Sequence, residues 1–311
     1  MKPRVLAIVG PTAVGKSELT LHLAARLDGE IISADSMQVY RGMDIGTAKP
    51  SPAERCLRPH HLIDVVEPGA TFSAADYQLL ARAAVRDILG RGKLPIFSGG
   101  TGLYLRAAID DYNFTATESN DLVRNKLHQE VREAGLAALY TRLRHVDAKV
   151  AMRLDPNDQR RILRALEVFE TTGRPLSAWE SEKDIRSSIY DVILIGLIRP
   201  RDELYSRIDE RVEQMITSGL LEETRRLYEG GLSFVAGQAL GYKELQAHLE
   251  GQSTLEEAKE RLKRQTRRFA KRQLTWFRAD PRIQWVDAGD LRQAEGTILE
   301  ILAKEWGMHY N

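Results

Sequence analysis

The chain is short of cysteine, of long apolar runs and of net charge, and each shortage removes a class of protein. Cys56 is the single cysteine among 311 residues, which excludes an internal disulfide and any multi-cysteine zinc site. No apolar run reaches the length of a membrane span. The apolar stretch behind Lys2 and Arg4 is short and leads straight into a glycine-bearing turn, so it reads as a strand rather than a secretory leader, and a cytoplasmic setting is expected. The histidines are scattered apart from His60-His61, with no metal-ligand spacing. A formal charge of +1 says nothing by itself about nucleic acid. No internal repeat or low-complexity segment is present, and the length suits one large domain or a core with an insertion.

What is present begins at the first strand. Val5-Leu6-Ala7-Ile8-Val9 is apolar throughout, Gly10-Pro11-Thr12-Ala13-Val14-Gly15-Lys16-Ser17 follows it, and Leu19, Leu23, Ala24 and Leu27 then recur at helical spacing. The glycines let successive backbone N–H groups turn inward, the helix N-terminus adds partial positive charge, and Lys16 adds a full one. Ser17 offers the hydroxyl expected to bind a Mg2+ ion that bridges phosphate oxygens. The eight residues are therefore expected to hold the phosphates of a nucleotide such as ATP or of another diphosphate. Phosphoryl transfer, hydrolysis and loss of a whole diphosphate all start from this grip.

Further strands are expected at Glu30–Ser33, His61–Val66, Leu94–Phe97 and Val192–Leu197, with helices between them, notably over Ala74–Leu89. This alternation predicts an α/β fold: a P-loop NTPase-like parallel sheet covered by helices on both faces. From about Asn113 to Ser188 the alternation stops. Asp155-Pro156-Asn157-Asp158 starts a helix whose apolar stripe is Ile162, Leu163, Leu166 and Phe169, and Gly173 with Pro175 ends it. The expected organisation is a first core part over 1–112, a helical insertion domain over 113–188, and a second core part over 189–311. The last part is helical over Asp202–Tyr228, Thr254–Phe277 and Leu291–Trp306.

Asp35 follows the second strand, so its carboxylate should lie across the strand ends from the phosphate loop, as a base, a magnesium-associated group or a cap. A hydrolytic ATPase needs a strand ending in a metal-binding Asp, and Leu94-Pro95-Ile96-Phe97 ends instead in Ser98-Gly99-Gly100-Thr101, which argues against a motor or switch. Arg160, Arg161 and Arg164 share a helix face that suits backbone phosphates or plain solvent. Arg207 and Arg211 are one turn apart, placed to reach a phosphate or to pair with Asp209 and Glu210. The strongest asymmetry lies in 259–278, where nine Lys/Arg and only Glu260 give +8 and leave the rest of the chain at −7. Concentrated charge of this kind marks a polyanion contact, and Trp276 and Phe277 at its end fit either base stacking or a core.

Taken together these segments resemble one family, the bacterial tRNA dimethylallyltransferases, also called tRNA isopentenyltransferases. The resemblance rests on Gly10–Ser17, the block Ser33–Pro50 that opens with Ser33-Ala34-Asp35-Ser36-Met37-Gln38, His60–Asp64, Gly99–Tyr104, the helix Gln159–Val168, Gly241-Tyr242-Lys243-Glu244 and Ala270–Arg278, in family order over about nine-tenths of the chain. It implies a transferase that moves a dimethylallyl group from dimethylallyl diphosphate to the exocyclic amine of adenosine-37, beside the anticodon of a tRNA, with Mg2+ as cofactor. Asp35 would then be the general base, while Lys16, Ser17 and Arg211 stabilise the departing diphosphate. The target base would be held by Asp35, Ser36, Met37, Gln38 and Thr101. Contacts to tRNA would come from Val123 and from Gln159, Arg160, Arg161, Ile162 and Leu163 of the insertion, from Gly241, Tyr242 and Lys243, and from Arg267, Lys271, Arg272 and Trp276 of the basic helix. A monomer is the expected state. The competing expectation is a P-loop kinase acting on a small molecule or polynucleotide.

Overall fold

A computed structural model of the chain describes residues 2–112, 114, 120–181 and 187–307. The chain divides into a mixed unit, Met1–Ile109 with Ser188–Asn311, and a helical unit, Asp110–Ser187. The first pass of the mixed unit runs β1 (Arg4–Val9), α1 (Lys16–Arg26), β2 (Gly29–Ser33), α2 (Pro52–Leu57), β3 (His60–His61), α3 (Ala74–Gly90), β4 (Leu94–Gly99) and α4 (Gly102–Ile109). The helical unit holds α5 (Asp121–Ala134), α6 (Leu136–Val146), α7 (Ala148–Ala151), α8 (Gln159–Thr172) and α9 (Leu176–Ser181). The chain returns through β5 (Asp191–Ile198), α10 (Arg201–Thr217), α11 (Leu220–Glu229), α12 (Phe234–Gly237), α13 (Tyr242–Leu249), α14 (Leu255–Arg278), β6 (Ile283–Asp287) and α15 (Leu291–Trp306).

The strands form one parallel sheet in the order β3-β2-β4-β1-β5-β6. From β1 the chain first builds to one side and later returns to the other, so the direction of winding switches at the carboxyl end of β1, where such sheets form their ligand crevice. Alternate side chains of β1 serve opposite faces. Val5, Ala7 and Val9 pack with Tyr77, Ala81 and Val85 of α3, whereas Leu6 and Ile8 pack with Leu19 and Leu23 of α1 and with Ile298 and Leu302 of α15. Each large apolar side chain taken fully out of water stabilises the fold by about 1.5–3 kcal/mol. Burial on both faces explains why these strands read as continuous apolar runs.

Three expectations change. The stretch 61–66 is not one strand: pairing stops at His61, because Leu62 and Asp64 adopt positive φ of 62° and 57°. Val65 and Val66 instead donate to the carbonyl of Val39. The helix expected over 202–228 is two, α10 and α11, broken at Gly219, whose φ of 98° a helix cannot hold. Strand β6 was missed in the sequence; it pairs only with β5 and buries only Ile283 and Val286. Gly196 of β5 makes room for it, since a Cβ there would stand 2.6 Å from Ile283 and 2.7 Å from Trp285.

The helical unit has its own core of Leu127, Leu139, Leu143, Val150, Ile162, Leu163 and Leu166. Ile162 and Leu163, expected to touch tRNA, are thus core side chains: the 3.6-residue period that makes α8 amphipathic turns them inward. Val123 is half-buried against the same core. Glu167, also buried, accepts from Arg124 at 3.0 Å and from the backbone N–H of Asn120 at 2.8 Å, and Arg164 pairs with it at 3.1 Å. Arg164 therefore serves this unit's interior, while Arg160 and Arg161 stay exposed beside half-buried Gln159.

Candidate active site

The phosphate loop joins β1 to α1 and departs from regular backbone at three places. Gly10 has φ 148° with Leu197 O only 2.8 Å from where a Cβ would sit, and Gly15 has φ 108°. Ala13 takes φ 65° with a side chain, a conformation that needs support from its surroundings. The Lys16 ammonium donates to the carbonyls of Gly10 at 3.0 Å and Pro11 at 2.7 Å. Burial, and after it the Arg211 guanidinium, bring its pKa down to about 7 against the opposing pull of Asp35.

Asp35 stands just past β2. Its Oδ1 accepts the backbone N–H of Met37 at 2.8 Å, so the carboxylate also shapes the turn that carries it. Thr101 fixes the same turn from β4's side: its hydroxyl accepts the Ser36 N–H at 3.0 Å, and its N–H donates to Ala34 O at 3.0 Å. Gly99 allows this approach, because a Cβ there would lie 2.2 Å from Ala34 O. Beneath lie Tyr77 and Tyr104, stacked at 4.1 Å, and the Tyr77 hydroxyl donates to Ser33 O at 2.9 Å. Burial pushes both phenols upward in pKa, with the Asp35 charge adding to it.

Gln38 is fully engaged. Its amide oxygen accepts from the Ser33 hydroxyl at 2.8 Å, and its nitrogen donates to Thr47 O and Ala48 O at 3.2 and 3.3 Å. The loop bearing those carbonyls is anchored by Glu223 of α11, which accepts the N–H groups of Asp44, Ile45 and Gly46 and the Tyr242 hydroxyl at 2.7 Å. A Cβ on Gly46 would fall 2.6 Å from the Tyr242 ring. Tyr242, expected at the tRNA surface, is therefore a buried support, and Gly241, with φ 97°, caps α13 through its N–H to Glu244.

The phosphate loop, the Asp35 turn and α10 border one cavity of about 310 Å3. Its lining combines polar Thr12, Lys16, Ser17, Asp35, Thr101 and Arg211 with apolar Met37, Ile208, Val212, Met215, Leu262 and Phe269. Ser36, Gln38, Lys243 and Arg272 also line it. Burial lowers the pKa of Arg211, and Asp35 opposes that shift. Arg207, one turn earlier on α10, does not join its neighbour: its Nε donates to Ala13 O at 3.0 Å. For a metal, Ser17 brings one neutral oxygen into the cavity, and no cluster of three or more His, Cys, Asp or Glu suited to a metal exists among the described residues. That donor set fits Mg2+ completed by phosphate oxygens and water, and not an ion held by protein alone.

The basic helix α14 is only partly a free basic surface. Lys259 and Lys263 both pair with Glu213 of α10 at 2.8 Å, and Arg267 forms a two-pronged pair with Asp209, both bonds 3.0 Å. Arg264, Arg268, Lys271, Arg272 and Arg278 remain exposed. Phe277 is core, and half-buried Trp276 packs over Gly102 with the Arg106 guanidinium 5.8 Å from its ring centre. Sequence reasoning missed Gln273, which is buried and bonds both Thr12 N–H and Gly100 O. Its one visible signal was position: it shares a helix face with Ala270 and Phe277.

Comparison with known proteins agrees with this geometry. The family model described as IPP transferase matches residues 38–280. The tRNA dimethylallyltransferase of Geobacillus thermodenitrificans is 50% identical over 302 residues, covering 97% of this chain and 96% of that protein. That of Anoxybacillus flavithermus is 49% identical over 303 residues, with 97% and 96% covered. Among solved structures, the full-length tRNA isopentenylpyrophosphate transferase of Bacillus halodurans is 43% identical with a TM-score of 0.72, and 99% of each chain is covered. A eukaryotic dimethylallyltransferase acting on tRNA is 32% identical with a TM-score of 0.82, covering 97% of this chain and 78% of that one. With the phosphate loop, the Asp35 turn and the buried Arg211 gathered in a P-loop NTPase-like sheet, the chain belongs to the IPP transferase family, that of the bacterial tRNA dimethylallyltransferases.

Proposed function

We propose that this transferase moves the dimethylallyl group of dimethylallyl diphosphate onto the exocyclic amine of adenosine-37 of tRNA and releases diphosphate. The observation that carries this reading is the convergence of the phosphate loop, Asp35 and Arg211 on one cavity whose lining also includes apolar side chains. An N–C bond forms as the allylic C–O bond breaks, and the amine proton leaves. The adenine amine is a weak nucleophile, because its lone pair is delocalised, and Asp35 would take that proton. Diphosphate departs as an anion, and Lys16, Arg211 and the loop amides meet it in a buried setting where charge interactions are strong. Mg2+, held through the Ser17 hydroxyl, would neutralise further charge on the phosphate oxygens. One such donor is worth about 3–4 kcal/mol.

The target base must leave its loop to enter the cavity, and Thr101 and the Ser36–Gln38 turn border the space it would occupy. Because the Gln38 amide is already engaged, its contribution is to keep this wall fixed. The exposed basic residues of α14 would contact tRNA phosphates, and Arg160 and Arg161 offer the helical unit its own exposed cations for the same kind of contact. The protein would act as a monomer in the cytoplasm; no helix of the described residues is long and apolar enough to cross a membrane.

The test is to incubate the chain with Mg2+, labelled dimethylallyl diphosphate and an unmodified anticodon stem-loop. Label is expected in the RNA. Phosphate released from ATP, with no label in RNA, would replace this reading with the kinase.

A further inference from the structure

The diphosphate-binding loop is held from behind by two arginines. Arg207 donates its Nε–H to Ala13 O at 3.0 Å, and Arg199, between β5 and α10, donates its Nε–H to Val14 O at 2.9 Å. The Arg199 side chain is 4% exposed and is itself fixed by Glu203. In a trans peptide the carbonyl and the following N–H point in opposite directions. Holding the carbonyls of Ala13 and Val14 toward the guanidinium groups therefore sends the N–H groups of Val14 and Gly15 the opposite way. Among the described residues neither N–H has a protein acceptor. Consecutive unpaired N–H groups ahead of a helix make an anion cradle.

We propose that Arg199 and Arg207 are positioning residues that aim this cradle. Ala13 shows the demand for such a device. Its φ of 65° is unfavourable for a residue with a Cβ, and the Arg207 bond is made on that residue's own carbonyl. Neither arginine has to touch the diphosphate. Arg211 lines the cavity on the same helix as Arg207, so α10 sends one arginine into the site and another behind the loop. The inference rests on the diphosphate reading of the loop and adds what holds the loop in shape.

The distinction between aim and charge is testable, because lysine keeps the charge but cannot place a planar Nε–H on that carbonyl. Binding of inorganic diphosphate with Mg2+ is measured by calorimetry for the full chain and for Arg207→Lys, Arg207→Met and Arg199→Lys. Affinity for an anticodon stem-loop and thermal melting are followed in parallel. Loss of a charge-assisted hydrogen bond predicts roughly tenfold weaker diphosphate binding in both Arg207 variants. In the enzyme, KM for the diphosphate substrate should rise while KM for RNA stays within about twofold, and Arg199→Lys should act in the same direction. Wild-type affinity in Arg207→Lys would overturn the proposal, since charge alone would then suffice. An equal loss of diphosphate and RNA binding would overturn it in favour of a general structural role. If the unaltered chain fails to bind diphosphate, the functional reading falls, and this inference with it.

Discussion

Gln273 accepts the backbone N–H of Thr12 at 2.9 Å. Through the same amide it donates to Gly100 O at 3.1 Å, so one buried side chain of α14 ties the phosphate loop to the loop after β4. Gln273→Leu would leave a donor and an acceptor unpaired in the interior, at a cost of about 1–3 kcal/mol for each group left without a partner. Chemical denaturation should show a lower midpoint, with diphosphate affinity falling as the loop loosens. A midpoint equal to that of the unaltered chain would remove Gln273 from the support of the loop.

Lys16 sets a pH dependence. Its pKa is about 7 when folded, through burial and Arg211 with Asp35 opposing, against 10.5 for the ordinary side chain. Between these values the unfolded chain binds more protons, so this group's contribution to stability rises with pH across the window. Below about pH 7 the buried ammonium carries its full cost, which Asp35 offsets only in part. Lys16→Met should therefore melt a few degrees higher at pH 6, with the advantage shrinking toward pH 10, while losing diphosphate affinity. An arriving diphosphate favours the charged amine, so binding at pH 8–9 should take up a proton. Calorimetry in two buffers of different ionisation heat reads that uptake directly, and identical heats in both would contradict it.

The ion pairs on α14 separate its cations into two groups. Arg268, Lys271 and Arg272 are exposed, whereas Arg267 is engaged by Asp209. Each phosphate contact removed should lower the slope of log affinity against log salt by about 0.7–0.9, the range from single strand to duplex. Arg268→Gln, Lys271→Gln and Arg272→Gln are expected to flatten the slope for stem-loop binding. Arg267→Gln should leave the slope nearly unchanged and lower stability by up to about 1 kcal/mol, the range for a partly exposed pair. A flattening by Arg267→Gln as large as that of the others would place it on the RNA instead.

Asp35→Asn isolates proton transfer from architecture. The asparagine oxygen can still accept the Met37 N–H, so the turn and RNA binding should persist. Turnover should fall by about 10²–10⁴, the usual worth of a general base. Retained turnover would assign Asp35 to shaping the turn alone.

Much of this was written in local sequence. The phosphate loop, the strands β1, β2, β4 and β5, and the helix α14 all follow from short-range pattern, because burial on two faces and helical periodicity leave contiguous marks. What escaped was tertiary. Nothing near Glu223 announces that it caps a turn at 44–46, and nothing near Arg207 announces a bond to Ala13 O. The charge count of α14 was right in total, yet Glu213 and Asp209, about 50 residues away in the chain, neutralise part of it. Ile162 and Leu163 belong to the apolar stripe of α8, which already turns them inward against what the resemblance implies, whereas the burial of Tyr242 has no comparable local mark.

Prenyl transfer to the target amine is read directly by mass spectrometry of two anticodon stem-loops treated with the protein, dimethylallyl diphosphate and Mg2+. One carries adenosine at the target position and the other inosine, which has an oxo group in place of the amine. One dimethylallyl group is expected on the adenosine stem-loop, with an equal amount of diphosphate released, and none on the other. Addition to both, or to neither while ATP is consumed, would contradict it.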